Sequence, residues 1–227
     1  MNILALDTSM GACSATLLRH DGVLFARQER MTRGHAEALM PMVADVMSES
    51  GVALAALDRI CATTGPGSFT GVRIAISAAR GLALVTGAKL FGVDSLTAMA
   101  KQALATGIAG GAPFAVAVDA RRGMLYFGLY DGAARKLDGP ILVAPDDAAN
   151  LLPGALRTAV GSGAATLAEA AASRGALIAA RLLDLEPSAT ELAELARESG
   201  ETVPVLRPLY LRAPDARPQA QAALAGR

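Results

Sequence analysis

A strand ending in an acid occurs twice in this chain with the same surroundings, and this repeat constrains the fold more than any other feature. The first copy is the apolar run Ile3–Asp7, and the second is Phe114–Asp119. In both copies a glycine follows the acid at the same offset, Gly11 after the first and Gly123 after the second. Matching offsets at two points indicate an internal duplication.

Each copy continues in the same way, first with a hairpin and then with helices. Asp-Gly pairs at 21–22 and 131–132 predict the hairpin turns. The predicted strands around them are 12–18 and 23–28 in the first copy and 124–130 in the second. The predicted helices are 35–50, 70–85, 145–152, 164–174 and 188–199. Glycine and alanine replace periodic sequence near 105–113, which indicates a boundary between the halves.

This tandem unit is the outline of the actin-like ATPase and sugar-kinase architecture, in which two ribonuclease-H-like lobes enclose a cleft. We therefore predict an α/β fold with a first lobe at 1–105, a smaller second lobe at 106–213 and a mobile tail at 214–227. In such folds the acid and hydroxyls after the first strand meet nucleotide phosphates. Asp7, Thr8 and Ser9 occupy that position, although Asp7 as a simple turn cap explains the pattern equally well.

In the second copy, Asp119 is followed by Arg121 and Arg122. These arginines are predicted either to neutralise an anion across the cleft or to be solvated loop charges. A further glycine turn, Gly161 to Gly163, is a candidate for the nucleotide side of the cleft, and a plain turn explains it as well.

A glycine-rich turn between a predicted strand and a predicted helix is the most informative local motif. Its residues are Gly65, Pro66, Gly67, Ser68, Phe69, Thr70, Gly71, Val72 and Arg73. Such a turn can hold a phosphate or a partner's backbone at the helix N-terminus, or serve packing alone. The lysine and hydroxyl residue of a P-loop are missing after the last glycine, so that class is excluded.

Composition limits the remaining classes. With 52% hydrophobic residues in 227, the chain can bury a substantial core. Its 21 basic and 21 acidic residues cancel, and Arg207, Arg212 and Arg217 form only a loose cluster, so direct RNA binding is the weakest hypothesis. Cys13 and Cys61 are predicted to be buried free thiols. We expect a cytoplasmic protein without a signal peptide or membrane span.

Four segments together resemble the TsaB/YeaZ family. They are the Leu-Asp-Thr-Ser start, the motif at 65–74, Val-Asp-Ala-Arg at 118–121 and Tyr-Leu-Arg-Ala-Pro at 210–214. The resemblance implies an actin-like fold and a role in threonylcarbamoyl (t6A) modification of adenosine 37 in tRNAs that read ANN codons. It implies a non-catalytic scaffold that binds the catalytic paralogue TsaD and the ATPase TsaE, and that forms a homodimer when alone. We expect no tightly bound cofactor, ATP or ADP only in the assembled complex, and tRNA contact only through that complex.

The histidine content agrees with a non-catalytic role. A metal site in the catalytic paralogue depends on paired histidines along a helix, and this chain has only His20 and His35, which are far apart. No Gly-x-Ser-x-Gly elbow occurs either. We therefore assign no catalytic and no metal-binding residue, and no metallopeptidase site.

Two helical segments are candidates for a partner surface. The first carries apolar side chains at helical spacing and the second carries small side chains that permit close helix approach. Covering their own sheet is the alternative, and the family resemblance favours the partner surface. The predicted interface residues are His35, Leu39, Met42, Val43, Val46, Ala75, Ala78, Ala79 and Leu82. The alternative function is a small actin-like kinase or ATPase that uses Asp7 and Asp119 around Mg-ATP.

Overall fold

The computed structural model describes residues 1–108 and 111–212, so the predicted tail at 214–227 lies outside the described residues. Within them the chain forms two five-stranded sheets, six α-helices and a short 3₁₀ helix at Leu54–Ala56. The strands are β1 Ile3–Asp7, β2 Ala12–Leu18, β3 Leu24–Arg30, β4 Arg59–Thr63, β5 Lys89–Val93, β6 Phe114–Asp119, β7 Leu125–Tyr130, β8 Lys136–Val143, β9 Thr158–Val160 and β10 Ala179–Arg181. The helices are α1 His35–Ser50, α2 Phe69–Thr86, α3 Ser95–Ala105, α4 Pro145–Asn150, α5 Ala164–Ala172 and α6 Ala189–Glu198.

The two sheets have the same topology. Their strand orders are β3-β2-β1-β4-β5 and β8-β7-β6-β9-β10. In each sheet the central strand pairs antiparallel with its hairpin partner and parallel with the strand that follows a helix. The duplication and the predicted two-lobe, actin-like α/β architecture are therefore confirmed.

Burial explains why these strands form where they do. Strands β1 and β2 are buried along their whole length, because helices cover both faces of the first sheet. Strand β3 lies at the sheet edge, is largely exposed and ends in charged residues, which is typical of protected edge strands. The first hairpin turns at Gly22, whose φ of 88° suits glycine.

One helix from each half of the chain packs against the sheet of the other half. Helix α6 packs on β1 and β2 of the first sheet, with Leu192 and Ala193 in a cluster that includes Ile3 and Phe91. Helix α3 packs against the second sheet, where Met99 joins a cluster around Phe114. The predicted boundary near residue 105 divides the chain into two consecutive halves. The packing of these two helices crosses that boundary.

Most predicted element bounds agree with the structure within two residues. Helix α1 has the predicted bounds, ends at Gly51 in the left-handed conformation and runs through Pro41 as one helix. Pro41 lies on the exposed face, so its ring does not disturb the packed side. Strands β5 and β8 to β10 were not predicted, because their short or Gly-interrupted patterns carry little periodicity, and helix α3 was not predicted either.

Candidate functional site

The acid that ends β1 is buried and caps its own turn. Asp7 has no exposed surface. Its Oδ1 accepts hydrogen bonds from the Ser9 backbone N–H at 3.2 Å, from Ser9 Oγ at 2.7 Å and from Thr63 Oγ1. Its Oδ2 has no hydrogen-bond partner within the described part of the chain. Of the two predictions made for Asp7, this geometry is that of the turn cap.

Burial dominates the electrostatics of this carboxyl. Desolvation raises the pKa of Asp7 to about 6, against the opposing effect of the hydrogen bonds from Ser9 and Thr63. The charge of Glu186 raises that pKa further. The carboxyl therefore carries a proton at a higher pH than an ordinary aspartate.

The glycine-rich motif lies directly on this turn. A Cβ at Gly67 would stand 2.2 Å from the carbonyl oxygen of Ser9, and a Cβ at Gly71 would stand 2.1 Å from that of Thr8. The Ser68 backbone N–H also donates to Ser9 O at 2.7 Å. Only glycine permits this approach of two backbones, so the spacing of the motif is explained by packing.

Side-chain hydroxyls from both segments fix the start of α2. Thr8 Oγ1 donates to the Gly71 carbonyl at 2.6 Å and accepts from the Ala75 N–H at 3.1 Å. Ser68 is the N-cap, and its Oγ accepts from the Gly71 N–H at 3.3 Å. The first turn of α2 is therefore anchored to the turn after β1.

The outer residues of the motif hold the C-terminal segment. The Arg73 guanidinium lies 3.8 Å from the centre of the Phe69 ring, and its Nε donates to Tyr210 Oη at 2.6 Å. The Phe69 and Tyr210 rings stack at 5.4 Å. The Leu209 N–H donates to Thr64 O at 2.7 Å. Two of the four segments behind the family resemblance thus meet in space.

The second copy of the turn is more open. Asp119 is exposed, its backbone N–H donates to Ser162 Oγ at 3.0 Å, and its Oδ1 accepts from the Arg121 N–H at 2.8 Å. Gly161 has a φ of 98°, and the Gly163 N–H donates to Ala117 O at 2.9 Å. The structure thus brings the 161–163 turn beside Asp119.

A cavity of about 560 Å³ lies between the two lobes. Its lining includes Gly11, Gly67, Ser68, Asp119, Arg121 and Ser162. The motif turn and the second-lobe acid therefore face one cleft. Asp7, Thr8, Gly161 and Gly163 are not among its lining residues, and Ser9 has no exposed surface.

The residues after β1 do not fit the nucleotide that an actin-like fold implies. A phosphate or hydrated Mg²⁺ needs an exposed acid or free backbone N–H groups. Asp7 is fully enclosed, the motif backbone covers Thr8 and Ser9, and the Gly11 N–H donates to Glu186 Oε2 at 2.7 Å.

Glu186 lines the cleft and was not predicted from the sequence. It precedes α6 and is 175 positions from Gly11 in the chain. Burial raises the pKa of its carboxyl, while the Gly11 hydrogen bond and the nearby Arg30 and His35 oppose that rise. No local pattern marks a glutamate whose partner comes from the other end of the chain.

The predicted interface residues divide by exposure. Six are in the chain's own hydrophobic core, namely Leu39, Met42, Val43, Val46, Ala75 and Ala79. His35, Ala78 and Leu82 are half-buried. The exposed surface of α2 instead presents Arg73, Ser77, Arg80 and Gly81, and it ends in Leu84 and Val85, which are 88% and 82% exposed. Neither Leu84 nor Val85 was among the predicted residues.

Two further checks concern metal binding and membranes. Among residues 1–108 and 111–212, no three His, Cys, Asp or Glu side chains group closely enough to hold a metal ion.

Helix α2 is long and apolar enough to cross a bilayer by length and composition. A helix that covers a sheet passes the same test, and the Val72, Ala75, Ile76 and Ala79 side of α2 is buried in the first core.

Comparisons with known proteins agree with this architecture. The family profile described as "TsaD: tRNA N6-adenosine threonylcarbamoyltransferase" matches residues 28–217. The solved structure of YeaZ from Pseudomonas aeruginosa superposes with a TM-score of 0.80 at 33% sequence identity, covering 92% of this chain and 100% of that one. The chain belongs to the TsaB/YeaZ family.

Further relatives of this TsaB/YeaZ family member come from bacteria. An uncharacterized protein of Mycobacterium tuberculosis is 32% identical over 223 residues, which cover 96% of this chain and 95% of that protein. The tRNA threonylcarbamoyladenosine biosynthesis protein TsaB of Escherichia coli is 41% identical over 130 residues. That alignment spans 57% of this chain and 55% of the E. coli protein, so the chain matches about half the length of that relative.

Proposed function

We propose that this chain is a non-catalytic scaffold subunit in tRNA threonylcarbamoyladenosine biosynthesis. Its partner is the catalytic paralogue TsaD, which it binds through the exposed surfaces of α1 and α2. The proposal is supported by the TsaB name of the E. coli relative and by the match to the threonylcarbamoyltransferase profile. The observation that carries it is the exposed apolar end of α2, where Leu84 and Val85 are adjacent, because neighbouring exposed apolar side chains mark interaction surfaces.

The buried acid turn supports the non-catalytic part of the proposal. A catalytic carboxylate must reach its substrate, whereas Asp7 is enclosed by Ser9 and Thr63. The same feature disfavours the alternative kinase or ATPase. The interlobe cavity keeps that alternative testable, since calorimetry with Mg-ATP on the isolated chain would detect binding and turnover.

The assembled complex includes further proposed partners. We place the ATPase TsaE on the pair formed with TsaD, with ATP or ADP held only in that assembly. When alone, the chain forms a homodimer through the same helices, and tRNA contacts it only through the complex. Bacterial tRNA modification takes place in the cytoplasm, which is the proposed location.

An omission assay tests the role as a whole. Threonylcarbamoyladenosine formed on a substrate tRNA is measured with the other pathway proteins, ATP, threonine and bicarbonate, with and without this chain. We expect modification to require the chain, and the chain alone to modify no tRNA. Equal product without the chain would overturn the proposal.

Paired substitutions test the surface. Leu84→Asp with Val85→Asp should weaken TsaD binding by about tenfold or more, because a charge replaces apolar contact in a buried interface. Leu177→Asp is the matched control, since Leu177 is 82% exposed on the second lobe. Calorimetry gives the affinities and light scattering reports the homodimer. Equal TsaD affinities for the Leu84→Asp, Val85→Asp double variant and the Leu177→Asp control would show that the interface does not include the end of α2. Ala79 is unsuitable for this test because it has no exposed surface.

A further inference from the structure

The carboxylate of Glu186 occupies one side of the interlobe cleft. Its Oε2 accepts from the Gly11 N–H at 2.7 Å, and its Oε1 would lie 2.6 Å from a Cβ built on Gly11. The carboxylate therefore sits directly over a residue without a side chain, in the turn that follows β1. Both residues line the 560 Å³ cavity.

The contact resembles the way a protein holds an oxyanion. Backbone N–H groups in turns after strands are common donors to phosphate and carboxylate groups. Here the oxyanion comes from the chain itself. Arg121 and Arg212 line the same cavity, and Arg212 Nη2 donates to the Arg121 carbonyl at 3.3 Å. These two arginines bring positive charge to the lining of the cavity, and Arg30 and His35 are the positive groups that act on Glu186.

The cavity has the size of a small-molecule site, which is typically about 300–1,000 Å³. A phosphate approaching the Gly11 N–H would meet the Glu186 carboxylate, and two like charges at one donor repel each other. Glu186 is also only half-buried, so its contact with Gly11 is not enclosed in the core. It is placed to compete with an incoming anion.

We propose that Glu186 is an internal occupant of an oxyanion site at Gly11 and that it keeps phosphate-bearing small molecules out of the interlobe cleft. Such a ligand enters only when Glu186 leaves the Gly11 N–H. This regulation is separate from partner binding by α1 and α2, and it is measured on the isolated chain. Failure of one proposal therefore leaves the other standing.

Calorimetric titration of the full chain with inorganic phosphate and with Mg-ATP tests the proposal. The variants are Glu186→Gln, which keeps the shape without the charge, and Glu186→Ala, which also removes the group. We expect both variants to bind the anions at least about tenfold more tightly than the wild type. An adjacent like charge typically shifts a pKa by about one unit or more, and the same interaction energy changes an affinity by about tenfold. Glu169→Gln, an exposed residue of α5, is the matched control and should bind as the wild type does.

Gly11→Ala tests the same contact from the other side. The added methyl overlaps Glu186 Oε1, which is the movable end of a side chain, so it displaces the carboxylate without removing it. Because the methyl also fills the position that an incoming anion would take, Gly11→Ala added to Glu186→Ala should remove the gain in anion affinity.

The two probes separate the ligand sources. Tighter binding of both probes supports an oxyanion site that accepts free phosphate. Tighter binding of Mg-ATP alone supports a nucleotide ligand held partly through its other groups. Unchanged affinities or undetectable binding in all the folded variants would overturn the proposal, as would equally tight binding by the wild type.

Discussion

Asp7 is the residue whose burial has the clearest measurable consequence. Because its pKa is raised from 3.8 to about 6, the folded state binds a proton more tightly than the unfolded state. The resulting stability is fully present below about pH 4 and is lost as the pH rises through about 6. A shift of this size corresponds to roughly 3 kcal/mol of unfolding free energy.

Asp7→Asn should remove this dependence. We expect urea unfolding of the wild type to lose stability between pH 4 and 6.5 more steeply than unfolding of the variant, since asparagine does not titrate. Asp45→Asn, an exposed residue of α1, serves as the control and should keep the wild-type slope. Identical slopes for the wild type and Asp7→Asn would show that Asp7 is not the titrating group.

At the residue scale, the sequence placed Asp7 at the end of a strand and left its role open. Its hydrogen bonds come from Ser9, two positions away, and from Thr63, which is 56 positions away. The first partner follows from local turn chemistry. The second depends on the parallel pairing of β1 with β4, which a local pattern does not reveal.

Helix α2 carries two glycines with opposite surroundings, and these give a matched test at the element scale. Gly71 lies against the Thr8 carbonyl, whereas nothing lies within 4 Å of a Cβ at Gly81. Gly71→Ala should cost about 3 kcal/mol or more, because a methyl overlaps backbone that cannot move aside. Gly81→Ala should stabilise the protein by about 1 kcal/mol through helix propensity.

Thermal and chemical unfolding measure both changes. The expected order of stability is Gly81→Ala, then wild type, then Gly71→Ala. A Gly71→Ala variant as stable as the wild type would contradict the close approach of the two turns.

The bounds of α1 and α2 were predictable because capping residues and periodic apolar positions lie in the segment itself. The face that each of these helices turns to solvent was not predictable. Leu39 and Val43 follow the pattern expected of a contact surface, but the first sheet buries them. Which face meets the sheet depends on how the helix lies across it.

At the scale of the whole molecule, the exchange of α3 and α6 couples the two lobes. Leu192 and Met99 are fully buried, each beneath the sheet of the opposite half. Leu192→Ala should cost about 3 kcal/mol, since it leaves a cavity in a packed core. Hydrogen exchange should then show faster exchange in β1 and β2, although the substitution lies near the end of the chain.

Met99→Ala should have the reciprocal effect on β6 and β7. Leu151→Ala, at a residue 42% exposed, is the control and should leave both sheets protected. If Leu192→Ala affected only the second half of the chain, the crossed packing would be wrong.

The duplication, the α/β class, the main strands and the glycine motif could all be predicted from the sequence alone. These features are encoded by alternation, spacing and turn chemistry within short segments. Three features became visible only in the folded chain: the motif covers Thr8 and Ser9, α3 and α6 each pack on the sheet of the other half, and Glu186 contacts Gly11. Each of these contacts joins residues far apart in the chain, and their geometry is fixed by the packing of the two lobes.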